Sequence, residues 1–173
     1  LFLPMTIPNQ PSDSSADLFK ELMNLPEGST VIVQSDWTNS TRGESRGQFD
    51  ALLRILMRKN IKFGLMAVAD TQAPEVARDV IEAVNLERRE AKTPQREYKR
   101  WEDWVNLGYF PNAEGTGNQL AQSLRDTFKN VRDKDPSGSE QLVLQSPVFQ
   151  GIDDVSKLSA FIVVTGTKSI TIA

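Results

Sequence analysis

The chain has 173 residues, 39% of them hydrophobic and 25% charged, with a formal net charge of −3. That is the length of one domain with a buried core, and the charge balance implies no general nucleic-acid or anionic-membrane surface. Cysteine and histidine are both absent, which excludes disulfides, zinc–thiolate sites, thiol nucleophiles and a Ser-His-Asp triad.

Leu1 to Ser15 holds Pro, Ser and Asn without a period and reads as an extended lead-in, leaving 16–173 as a single domain. A short helix is predicted next, with Ser14 or Ser15 as N-cap, Leu18, Leu22 and Met23 on its apolar side, and Pro26 beyond its end. Ser29 to Asp36 (STVIVQSD) is the stretch that organises the rest. Its β-branched run is bounded by a Pro-Glu-Gly turn and a polar loop, the pattern of a buried strand.

Trp37 to Gly47 reads as a long polar loop, and a helix over about 48–59 follows, with Phe49, Leu52, Leu53 and Leu56 at helical spacing. Ile61 to Asp70 is a second strand that again ends on an aspartate. Pro74 opens a third helix, whose inner face is Val76, Val80, Ile81 and Val84. Val105 to Phe110 is a third strand, leading through the loop NAEGTGN to a helix that carries Leu120, Leu124, Phe128 and Val131 on one side. Asp133 to Ser139 reads as a turn or mobile loop, Gln141 to Gln150 as a short strand or extended loop, Asp153 to Leu158 as a helical turn, and Ala160 to Val164 as a fourth core strand. Strands alternating with helices predict a three-layer sandwich of Rossmann or flavodoxin type, with a mostly parallel sheet of about four to five strands. Ligands of such folds sit outside the carboxyl ends of the strands.

Four constellations could carry chemistry there. Asp36, Thr38 and Ser40 offer carboxylate and hydroxyl oxygens at alternate positions, as in the metal-binding loop of von Willebrand A domains; with Asp70 they would suit Mg²⁺. The same residues also make ordinary side-chain-to-backbone turns. Gly115 and Gly117, at the start of a helix, could cradle an anion or simply serve a strand-to-helix turn. Tyr98, Trp101, Trp104, Tyr109 and Phe110 form an aromatic group that reads first as core, second as a binding surface. The mixed charges of 86–100 read as a solvated face, whereas Arg42 and Arg46 fall in a loop at the ligand edge, where an anion could meet them.

LPEGSTVIVQSDW, LLRILMRKNIKFGLMAVAD, WVNLGYFPNAEG and SPVFQGIDDVSKLSAFIVVTG, in that order, resemble a family of functionally uncharacterised, membrane-anchored bacterial and archaeal proteins. In that family a first strand ends in a phrase like SFDY, and later strands read like YVNLGYKPGG and KNLKDFDLVVDL. Phe110, Asn112 and Ala113 depart from the family's Lys and paired Gly. The resemblance supplies no reaction. It implies flanking membrane helices or membrane-embedded subunits as partners, a domain on the extracytoplasmic side, and further chain after Ala173.

No stretch reaches the roughly 18–20 apolar residues of a membrane span. The expectation is a non-catalytic ligand- or partner-binding domain of a membrane-anchored protein, with no nucleic-acid partner and an unidentified small-molecule ligand. The alternatives are a structural subunit of a larger membrane complex, and a Mg²⁺-dependent enzyme or cation-dependent binding domain built on the Asp36 loop.

Overall fold

The computed structural model describes residues 13–36, 42–68, 71–92 and 95–165. The elements are α1 (Asp13–Asn24), β1 (Thr30–Asp36), α2 (Arg42–Arg58), β2 (Lys62–Ala67), α3 (Ala73–Glu90), β3 (Trp104–Tyr109), α4 (Ala113–Gln122), α5 (Leu124–Phe128), β4 (Arg132–Lys134), β5 (Glu140–Leu142) and β6 (Ala160–Thr165). Four strands form one sheet in the order β3-β2-β1-β6, every pairing parallel, and β4-β5 is a separate antiparallel pair. The fold is therefore a three-layer α/β sandwich of Rossmann or flavodoxin type, as the alternation of strands and helices predicts.

β1 is central because its residues are apolar on both faces. Val31 and Val33 join a core made with α1, α2 and α3, while Ile32 joins the core under α4 and α5. All three are fully buried, each contributing about 1.5–3 kcal/mol of apolar transfer free energy. The same alternation puts Phe63 and Leu65 of β2 on the first face, with Met66 on the second. Gly64 lies where a side chain would collide. A Cβ there would sit 2.8 Å from Leu107 Cδ1 and 3.2 Å from the Phe149 ring.

Four local expectations are corrected. α1 starts at Asp13, so Ser14 and Ser15 lie inside its first turn rather than capping it; the acidic Asp13 suits the positive end of the helix. α2 starts at Arg42 instead of about Gln48, because Ser45, four residues before Phe49, extends the stripe that packs inward; Ser45 is fully buried. Arg42 and Arg46 thus belong to a helix, and not to the loop predicted for them.

The helix expected to run through Leu120, Leu124, Phe128 and Val131 is two helices. Ser123 is extended (φ −159°, ψ 107°) and its hydroxyl accepts from Asp126 N, so it caps α5. Leu120, Leu124 and Phe128 are buried as expected; Val131 lies past the helix. Finally, Asp133 is not in a turn. It is a buried residue of β4, and the turn begins only at Asp135.

Trp101 and Trp104 share no helix face. Trp101 has φ 75° in a turn, and Trp104 opens β3. Tyr98 and Trp104 pack in the first core, whereas Trp101 and Phe110 pack against the second. The Tyr98 hydroxyl donates toward the carbonyls of Ile61 (3.1 Å) and Leu56 (3.3 Å), and its ring stacks on Phe63. Most of the aromatic group is core.

Candidate functional site

β1 is flanked by β2 on one side and β6 on the other, with the chain leaving toward β2 first. The strand order reverses there, and this is the place where α/β sheets of this type open a crevice. Asp36 and Thr165 are register partners at that point. Asp36 is 1% exposed, on the same face as Ile32 and Gln34. Its Oδ1 accepts from Val68 N at 2.7 Å and its Oδ2 from Gln34 Nε2 at 2.5 Å. The first bond continues the β1–β2 ladder one step beyond Ala67, so the carboxylate fastens two strand ends together. A buried carboxylate needs such donors.

Ser35 points to the opposite face, where its hydroxyl donates to Met66 O at 3.4 Å. The buried Ser45 hydroxyl, on α2 over that same face, has no hydrogen-bond partner among the described residues.

Of the other predicted site residues, Thr38, Ser40 and Asp70 lie outside the described residues, and for Arg42 only the backbone is described. Gly115 and Gly117 stand inside α4 rather than in a loop before it. The Gly115 amide already donates to Asn112 Oδ1 at 3.0 Å, the N-cap bond of that helix. Among the described residues no group of three or more acidic side chains is placed to hold a metal ion. The described part of the strand-end edge therefore gives Asp36 a structural task, and brings neither glycine to it in an open loop.

The more distinctive geometry is at the two edges of the sheet. At the β3 edge, an extra residue, Leu107, stands opposite the step from Leu65 to Met66, which bulges the strand. Gly108 follows with φ 86°, and its amide is taken by Asn106 Oδ1 at 2.9 Å. Asn106 N, beside the bulge, donates to Asp133 Oδ2 at 2.8 Å. Asp133 Oδ1 in turn accepts from the guanidinium of Arg100, Nε at 3.0 Å, and that guanidinium lies over the Trp104 ring. Bulge, buried carboxylate and hairpin together close this edge. Sequence reading missed Asp133 because an aspartate before Lys-Asp-Pro-Ser-Gly reads as turn.

β6 has none of these devices. Its six residues, AFIVVT, contain no charge, proline or glycine, and among the described residues only β1 pairs with it. Phe161 is 42% exposed on one face. On the other, α1 leaves Leu18 and Phe19 each 53% exposed, beside a groove of about 420 Å³ walled by α1, α2 and Ile162 to Val164. A second groove follows the margin between α1 and residues 159–163. Apolar sequence is ordinary for a strand; apolar sequence at the sheet edge, with no further described strand beside it, was not legible without the strand order.

No helix among the described residues is long and apolar enough to cross a membrane. No protein-family model, curated protein or solved structure matches the chain.

Proposed function

We propose that this is a non-catalytic partner-binding domain, and that its partner is a polypeptide supplying an extended, apolar β-strand to the edge of β6 that no described strand pairs with. The observation that carries this reading is the contrast between the two sheet edges. An edge strand exposes a row of main-chain donors and acceptors, and proteins blunt it with charges, proline, bulges or a cover. β3 is blunted by a bulge and by Asp133, while β6 pairs with β1 in unbroken register and carries no charge, beside exposed Leu18, Phe19 and Phe161. Strand addition uses both features: the edge supplies the hydrogen bonds and the flanking apolar surface supplies side-chain contacts. The resemblance to membrane-anchored proteins supports placing the partner within a membrane assembly.

A photo-crosslinking residue at position 161, in the protein expressed in its native membrane, tests this. A single strand-bearing partner joined at that position, together with slowed amide exchange over 160–165 in the complex, is the expected result. If the purified complex exchanges β6 amides as fast as the isolated domain, the edge is not the interface.

A further inference from the structure

A second concavity lies at the opposite end of the sheet from Asp36. The segment 144–153 crosses the amino ends of the strands and is held there: Thr30 Oγ donates to Val148 O at 2.7 Å, and Lys62 Nζ to Pro147 O at 2.9 Å. Two successive turns stiffen it, with Phe149 N donating to Ser146 O (3.1 Å) and Ile152 N to Phe149 O (3.0 Å). Gly151, at φ 81°, takes the third position of the latter turn, as a type II turn requires. Between this wall, α5 and Lys157 is a cavity of about 530 Å³, within the range of small-molecule sites.

The chemistry of its lining is one-sided. Leu144, Phe149 and Ile152 supply apolar surface, and all three belong to the core under α4 and α5. Lys157 Nζ is engaged by Asp153 Oδ1 at 2.6 Å, which cancels both charges. Arg125 is then the surplus cation: it makes no hydrogen bond or close ion pair with a described residue, and its charge acts on Asp153 only at longer range, behind Lys157. The main-chain N–H groups of Gln150 and Gly151, also in the lining, donate to no described residue either. A guanidinium with a forked pair of donors, beside apolar walls, matches a carboxylate on an apolar body.

We infer that this cavity binds a small organic carboxylate, with Arg125 holding the anionic head and Phe149 and Ile152 contacting the body. The net lining charge of one positive unit favours a monoanion over a phosphate ester. The cavity lies near the start of β6 but shares no lining residue with that strand or its flanking grooves, so it stands or falls separately from the partner-binding reading.

The test is a titration of the isotope-labelled domain with phenylacetate, its neutral counterpart phenylacetamide, and inorganic phosphate, following amide shifts. Phenylacetate should give saturable shifts at Gln150, Gly151 and Ile152. Arg125→Ala should weaken it by roughly tenfold, as expected for losing a charged hydrogen bond, and Arg125→Lys should restore part of the affinity. Arg125 is exposed, so neither variant threatens the fold. No saturable shift, equal binding of the neutral amide, tighter binding of phosphate, or affinity indifferent to Arg125→Ala would each overturn the inference.

Discussion

At the scale of single residues, buried polar groups carry the sharpest consequences. Asp133 is buried and accepts from Arg100 and Asn106 N. Asp133→Ala leaves a main-chain donor unsatisfied and frees the Arg100 guanidinium, and should cost about 2–4 kcal/mol, read by chemical denaturation. Asp133→Asn keeps an acceptor and should cost less. At Asp36 the same argument predicts that Asp36→Ala, which orphans Val68 N and the Gln34 amide, destabilises by about 2–3 kcal/mol, and Asp36→Asn by less. Mg²⁺ titration of both proteins separates this structural task from a ligand role. A rise in Tm with Mg²⁺ in the parent, lost in Asp36→Asn, would add a cation site to the fastening described here.

Whole elements obey different balances. Gly64→Ala should destabilise by about 1–3 kcal/mol, since its Cβ would meet Leu107 and Phe149 in a filled core. Ser123→Ala should cost about 1 kcal/mol by removing the cap of α5, and it leaves the break in place because Leu120 and Leu124 are both held in the core. β6 behaves oppositely. Phe161→Lys touches an exposed side chain, so stability should change by no more than about 0.5 kcal/mol, while a charge now guards the edge. Loss of partner capture at unchanged Tm is the expected outcome. A variant that still binds normally would place the interface elsewhere.

For the molecule as a whole, stability should form a plateau against pH with identifiable shoulders. Asp135 is held below the usual carboxylate range by the Ser137 hydroxyl, Asp153 by Lys157, Asp154 by Ser156, and Glu87 by Arg54. Groups depressed in the folded state contribute stability that is present above their unfolded values, roughly pH 4. That contribution is lost as pH falls through the lower folded values. Tyr98 has the reverse sign: burial, then the nearby Asp103, pushes its phenol up. Its contribution is complete below an unfolded value of roughly 10 and disappears as pH rises toward the folded one. Tm should therefore be level through neutrality and fall in acid and in strong alkali. The Tyr98 phenolate absorption should appear only beyond the usual tyrosine range, or with unfolding.

The sequence by itself determined the layers. Val31 to Val33 and the AFIVV run are unbroken apolar segments, the stripe from Phe49 to Leu56 and the Val76 to Val84 face recur at helical spacing, and burial of apolar surface leaves such patterns little choice of element. It also indicated that Tyr98 and Trp104 pack in the core. Whatever depends on which segments become neighbours was decided only in three dimensions. The early start of α2 follows from room for Ser45 beneath it. Asp36 becomes a fastening because Val68 N lies opposite, and Asp133 a buried staple because Arg100 and Asn106 meet it across 33 and 27 residues of chain. The contrast between a closed β3 edge and a β6 edge that no described strand covers is a property of strand order. Local pattern records how much apolar surface a segment must hide; tertiary pairing alone determines which polar groups and which edges remain to be satisfied.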